Sequence, residues 1–239
     1  MLLDLLLLAQ GVDAIAIRPN DVDGSHLEEG RSCYDIVLGD DRVGRTVQTV
    51  EAARHNGEQV WNITIHQSLP ARSFQMRDEF VVRQSNLLPI SLISERGTDR
   101  DAPAWQRITI SYEGDWIRGT RETTGGIVPI LVRSSSPVWD GNLWGPLFAS
   151  LPLVEGSKFV VPMWQYDKGF GQFEVRVAGT GPVSHPAGTE QAWLLEAGTD
   201  PDRLTRYAIS RITRKELSYG AGPMRQVMSG DCIEPSELR

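Results

Sequence analysis

Residues that carry chemistry are scarce in this chain. Its 239 residues include 4 His and 2 Cys, which leaves little material for a metal centre or a cysteine framework. Basic residues are outnumbered, with 24 Lys and Arg against 31 Asp and Glu and a formal net charge of −7. That balance argues against duplex nucleic acid, whose phosphates need a basic surface. No apolar run approaches the roughly 20 residues that span a bilayer as a helix, so no transmembrane span is expected. No Pro/Gly/Ser-rich linker and no internal repeat divides the chain.

The usual catalytic signatures are missing too. There is no Gly-x-Ser-x-Gly elbow. Gly179-Thr180-Gly181-Pro182 and Gly220-Ala221-Gly222-Pro223 read as loops that open no helix, so neither forms a phosphate cradle. Asp21-Val22-Asp23-Gly24 starts like a calcium loop, but its twelfth position is Ser32 instead of a bidentate Glu. Asp78 and Glu79 are adjacent in a strand and point to opposite faces, so they do not make an acid/base pair. His26 and His55 read as solvated loop residues. A zinc site that drew on His66 and His185 would need long-range convergence. The chain is therefore expected to be no enzyme, with no cofactor and no metal.

What is present is alternation. Trp61, Ile63 and Ile65 share one face of Trp61-Asn62-Ile63-Thr64-Ile65. The preceding Asn56-Gly57 supplies the positive φ of a tight hairpin turn, which pairs Arg45–Arg54 with Glu58–His66. Further strands are expected over Arg72–Gln84, through Leu92 and Ile93, and over Trp105–Tyr112, Trp116–Arg121 and Ile127–Val132. Others follow over Lys158–Gln165, Phe170–Ala178, Gln191–Ala197, Leu204–Arg211 and Ile212–Tyr219. Short loops join them, which favours a meandering antiparallel sheet with one apolar face. Trp105 falls on the more polar face of its strand, as a rim or edge residue. Gly44, Gly119 and Gly125-Gly126 are places where the sheet can curl.

One segment has helical spacing. Trp139, Leu143, Trp144, Leu147, Phe148 and Leu151 lie on one broad face, with Asp140 or Asn142 as N-cap and Pro146 as the start or a kink. Such a helix needs an apolar surface, and the sheet offers one.

The chain begins with an oily run, Leu2 to Ala9, interrupted by Asp4 and without a preceding basic residue. It reads as a signal remnant or as a short helix packed on the body. Residues 1–30 are accordingly taken as an N-terminal apolar segment and loop, and 31–239 as the sheet domain. Cys33 and Cys232 are either two buried thiols or, in an exported protein, a disulfide between the chain ends.

Several pieces between Tyr34 and Met228 carry a family likeness. They are Val43-Gly44-Arg45-Thr46, Phe80 with Leu87-Leu88-Pro89, and Ile110-Ser111-Tyr112-Glu113-Gly114-Asp115-Trp116-Ile117-Arg118-Gly119. Then come Trp139-Asp140-Gly141-Asn142, Leu151-Pro152-Leu153 with Gly156, and the strand Ala208 to Leu217. In these pieces the chain resembles a family of uncharacterised bacterial envelope proteins known only as a domain of unknown function. That family is similar to the half-barrel carriers that ferry lipoproteins across the periplasm. The resemblance implies a curved antiparallel sheet covered by helix over an oily cavity, and it brings no catalytic residue.

The expected fold is mainly β, a single half-barrel sheet with a short helix on its apolar face. The expected function is a non-enzymatic periplasmic or otherwise exported protein that binds or carries an apolar ligand, a lipid or a lipoprotein. Trp61, Phe80, Tyr112, Trp116, Trp139, Trp144, Leu147 and Phe148 are the expected ligand-lining residues. The alternative is a structural or interaction module with a filled core, binding a protein partner at an edge strand.

Overall fold

The computed structural model describes residues 13–186, 188–200 and 202–232. The oily run at 2–9 lies outside them.

The alternating segments form strands, although 212–215, expected as strand, is not, and 179–182, expected as a loop, is. After a two-residue β1 (Ile15–Ala16) and two 3-10 turns come β2 (Gly30–Leu38), β3 (Asp41–His55), β4 (Glu58–Leu69) and β5 (Phe74–Arg83). The meander continues through β6 (Pro89–Arg96), β7 (Gln106–Glu113), β8 (Trp116–Thr123) and β9 (Gly126–Arg133). A short β10 (Trp139–Asp140) and helix α1 (Trp144–Ala149) follow. A second meander runs through β11 (Lys158–Gln165), β12 (Gly169–His185), β13 (Gly188–Gly198), β14 (Thr205–Ser210), β15 (Glu216–Ala221) and β16 (Met224–Met228). Asn56 and Gly57 turn the β3–β4 hairpin with φ of 50° and 86°, as an Asn-Gly primed turn requires. The sequence reading had no strand at β16 and placed Gly220 and Ala221 in a loop. Both belong to β15, and the turn is Gly222-Pro223.

All the strands join one sheet. Its order is β1-β11-β12-β13-β14-β15-β16-β2-β3-β4-β5-β6-β7-β8-β9, with β10 also on β11. Pairing is antiparallel except where β1 and β10 lie parallel to β11. The sheet curls without closing: β9 ends one side, and β11 with its two short partners ends the other. Close backbone approach at Gly44 and Gly119 belongs to that curl. A Cβ on Gly119 would run into the Thr109 carbonyl oxygen, and one on Gly44 into that of Ser68. Two side chains span the open gap. The Tyr112 hydroxyl on β7 donates to Asp140 on β10 at 2.6 Å, and the Trp139 indole N–H donates to the Asn86 carbonyl at 2.9 Å.

The helix is shorter than its spacing suggested. Trp139 and Asp140 are claimed by β11 as strand partners, so only Trp144–Ala149 is helical. Leu143 is the N-cap and no side chain caps it. Asp140 instead accepts from the Asn142 backbone N–H at 2.8 Å, a local turn that competes with helix. Pro146 sits in the first turn, where its missing N–H costs nothing. The helix presses Leu147 and Phe148 into the concave face, both with no exposed surface. Phe148 meets Phe173 and Tyr207 edge-on, with ring centroids 5.4 and 5.1 Å apart. Ile17 and Val22 from the N-terminal segment are buried in this same core.

Cys33 and Cys232 form a disulfide across 199 residues of chain. It fastens the segment after β16 to β2, which is already the sheet neighbour of β16. On the chain-entropy model, closing a loop of this length stabilises the fold by about 5 kcal/mol.

Candidate functional site

The concave face changes character along its strands, and the register makes the change visible. One row across the sheet reads Val50, Ile63, Phe80, Leu92, Ile110. Two residues further along, the row reads Gln48, Ile65, Asp78, Ser94, Ile108. The next row reads Thr46, Gln67, Met76, Arg96, Gln106. Because inward residues recur every second position, most of these strands turn from oily to polar along their length, and β5 carries its polar residue, Asp78, between Phe80 and Met76. Helix α1 and its flanks fill the oily end. Over the polar end they leave a cavity of about 270 Å³.

The cavity has a greasy side and a polar side. Ile65, Phe74, Met76, Trp144 and Pro146 supply the first. Asp78, Arg96, Glu216, Tyr219 and the amides of Gln48, Gln67, Gln226 and Asn142 supply the second. Phe74, Met76 and Trp144 are half-buried, which puts them towards solvent. Trp144 stands edge-on to Tyr219 at 6.5 Å, and Tyr219 stacks on Tyr207 at 5.5 Å.

Two buried carboxyls define its electrostatics. Glu216 is held by a relay across the sheet. Gln67 donates to the Thr46 hydroxyl at 3.1 Å, Thr46 to Gln226 at 2.6 Å, and Gln226 to Glu216 at 3.3 Å. Burial pushes Glu216 up to about 8, and the Gln226 amide only partly offsets this. Its other oxygen lies over Gly145, where a Cβ would come within 2.5 Å. Any side chain there would therefore displace the carboxyl.

Asp78 is 2% exposed, and its Oδ1 makes no hydrogen bond. Burial raises it to about 6, against the pull of Ser94 and Arg96. Arg96 lies over the Tyr166 ring at 5.7 Å and leaves its buried Nε unpaired. Buried polar atoms are nearly always hydrogen-bonded to protein or to water. An unpaired Asp78 oxygen and an unpaired Arg96 nitrogen around one cavity therefore mark a place built to hold something polar.

Of the expected ligand-lining residues, Trp144 alone borders this cavity. Phe80, Trp139, Leu147 and Phe148 are 0–1% exposed and packed in the core, because α1 fills the space an apolar ligand would need. Trp61 is also in the core, and its indole N–H is donated to the Gly24 carbonyl at 2.9 Å. Tyr112 is tied to Asp140 across the sheet gap. Trp116 lies on the outer face of β8, with the Arg118 guanidinium 5.5 Å from its ring centroid. Trp105 is 3% exposed; it tucks under Arg100 and donates to Glu95 at 3.4 Å instead of standing at a rim. Among the described residues, no group of three or more His, Cys, Asp or Glu is placed to hold a metal.

The sequence reading missed Glu216, Arg96, Gln226 and Gln67. Their signal was faint: each is a polar residue in the inward register of a strand, and that register becomes visible only once the strands are paired.

A curved, unclosed sheet around a filled end and an open end places this protein among the β-barrel-like folds. A crystal structure of a beta-barrel-like protein of domain of unknown function DUF1849, from Brucella abortus, is similar, with a TM-score of 0.53 at 10% identity. The match covers 87% of this chain and 96% of that one, and at such low identity the likeness is one of fold. The model of the family described as protein of unknown function (DUF3108) matches residues 33–221. The chain belongs to that family. None of the curated proteins matches it.

Proposed function

We propose that this is a non-enzymatic binding protein of the cell envelope that holds a small amphiphilic ligand at the polar end of its concave face. One observation carries the reading: a cavity of about 270 Å³ lined on one side by Phe74, Met76 and Trp144 and on the other by the unpaired Asp78 oxygen and Arg96. Its size sits near the lower end of the roughly 300–1,000 Å³ typical of small-molecule sites. A wholly apolar cargo such as an acyl chain fits the reading less well, since the oily end is filled by Leu147 and Phe148. The Cys33–Cys232 disulfide supports an oxidising compartment such as the periplasm.

The test uses the neutral dye N-phenyl-1-naphthylamine. Its fluorescence should rise on adding the oxidised protein, and the rise should vanish in Ile65→Trp, which fills the cavity. No rise, together with no small molecule released when natively purified protein is denatured in a mass spectrometer, would overturn the reading.

A second reading has its own observation. On the edge strand β9, Ile127, Val128 and Leu131 are 66, 60 and 62% exposed. An apolar edge of that kind invites a partner strand. If Leu131→Lys abolishes a stable complex in envelope extracts while dye binding persists, the edge has a role of its own.

A further inference from the structure

The cavity's polar lining is unbalanced, and this imbalance names a ligand class. Two carboxyls, Asp78 on β5 and Glu216 on β15, face one guanidinium, that of Arg96 on β6. Asp78 Oδ1 has no partner at all and is nine-tenths or more buried. Glu216 has one amide donor, Gln226, and the cavity lies beside it. Among the described residues no cation acts on Glu216, and Asp78 feels only Arg96. A carboxylate buried without a partner is strongly unfavourable, and a hydrogen-bonded cation relieves it. Beside them stand the rings of Trp144 and Tyr219, whose faces attract cations. Two carboxyls to one guanidinium, next to aromatic faces, is a lining that suits a cationic amine.

We infer that the ligand's polar end is a protonated primary amine, seated between Asp78 and Glu216 with its apolar end against Phe74, Met76 and Trp144. The inference rests on the binding reading above and narrows it to cationic amphiphiles. Arg96 sets an upper limit on the attraction, because it is the cavity's own cation. Its unpaired Nε is free to donate to any acceptor the ligand carries beside the amine.

The experiment compares three ligands of one shape, 4-phenylbutylamine, 4-phenylbutanol and 4-phenylbutyrate. Each is titrated calorimetrically and by displacement of the neutral dye. The amine should bind at least tenfold more tightly than the alcohol, and the butyrate most weakly. Glu216→Gln keeps the Gln226 contact and removes the proton that the carboxyl gives up when a cation sits beside it, so it should erase most of the amine's advantage over the alcohol. Asp78→Asn should act the same way. Arg96→Gln should act in the opposite sense and strengthen the amine, which separates the charge effect from a general loss of structure. Equal binding of amine and alcohol, a preference for the butyrate, or an advantage that survives Glu216→Gln would overturn the inference while the binding reading stands. If the dye binds and none of the three ligands does, the inference also falls. If the dye fails as well, the binding reading fails with it.

Discussion

Along β4 the inward side chains run Trp61, Ile63, Ile65, Gln67; along β5, which runs the other way, they run Val82, Phe80, Asp78, Met76. Both strands therefore lie with one end in a packed core and the other at a cavity. The two ends are made by the same backbone in the same register, and they differ only in side chains and in what lies over them. At the oily end, Trp139, Leu143, Leu147 and Phe148 leave no exposed surface. At the polar end the short helix leaves a gap, and two buried carboxyls face a single guanidinium. One end stabilises the fold; the other is maintained at a cost to it. Unsatisfied buried groups are characteristic of sites kept for binding.

The contrast can be broken most forcefully at the oily end. Phe148→Ala removes a ring wedged between Phe173 and Tyr207 and should cost about 3–5 kcal/mol in urea unfolding. A loss below about 1 kcal/mol would mean that the end collapses easily and is not a tight core.

The polar end should respond with the opposite sign. Glu216 sits near 8 in the folded protein against an ordinary value of 4.5. The folded state therefore holds its proton over a range where the unfolded chain has lost it. Stability from this group is fully present below about 4.5 and is lost as pH rises through about 8. At pH 8, Glu216→Gln should be more stable than the parent by on the order of a few kcal/mol, since each shifted unit is worth about 1.4 kcal/mol. At pH 4 the two should coincide. A gap that does not change with pH would show that the carboxyl ionises freely.

Gly145 lies where the two ends meet. Gly145→Ala puts a methyl against Glu216 and should cost about 1–3 kcal/mol by overpacking, although alanine is the better helix former. A double-mutant cycle with Glu216→Ala should recover most of that loss. The smallest effect is expected at the relay. Thr46→Val removes the hydroxyl between Gln67 and Gln226 and should cost about 1 kcal/mol. It should also weaken the Gln226 hold on Glu216, read as a pH dependence of unfolding that extends to higher pH.

The oily end was legible in the sequence because its evidence is local. Trp61-Asn62-Ile63-Thr64-Ile65 announces a half-buried strand within five residues, and Asn56-Gly57 fixes the hairpin before it. Phe148 and Leu147 declare themselves by helical spacing. The error there was length: Trp139 fits the same spacing, but β11 offers it backbone partners that the helix cannot. The polar end was not legible, because its members are dispersed, roughly one or two to a strand. Asp78, Arg96, Glu216 and Gln226 come from β5, β6, β15 and β16, and they meet only through a register set far away in the chain. The reading of Asp78 and Glu79 shows how near the local evidence came. It placed them on opposite faces, and they are so placed. Glu79 is on the outside with Arg77, and Asp78 is inside.

Every antiparallel pairing among the described residues joins strands consecutive in the chain, except the one between β16 and β2. The molecule is thus two meanders zipped along a single seam at mid-sheet, with the middle of the chain at the sheet's open sides and the short β1 carried out to the edge beside β11. Hairpins close quickly over short loops, whereas the seam must bring together strands separated by most of the chain. The Cys33–Cys232 bond lies just beyond the Tyr34–Met228 pair of that seam, one residue along β2 and four past the end of β16. While it is intact, the denatured polypeptide is a ring of nearly two hundred residues whose slowest encounter has already happened. Refolding of the oxidised chain then proceeds mainly through hairpins, with the short β1–β11 pairing as the remaining long-range strand contact. A chain that meets an oxidant only after release must make its longest search first and be fastened afterwards.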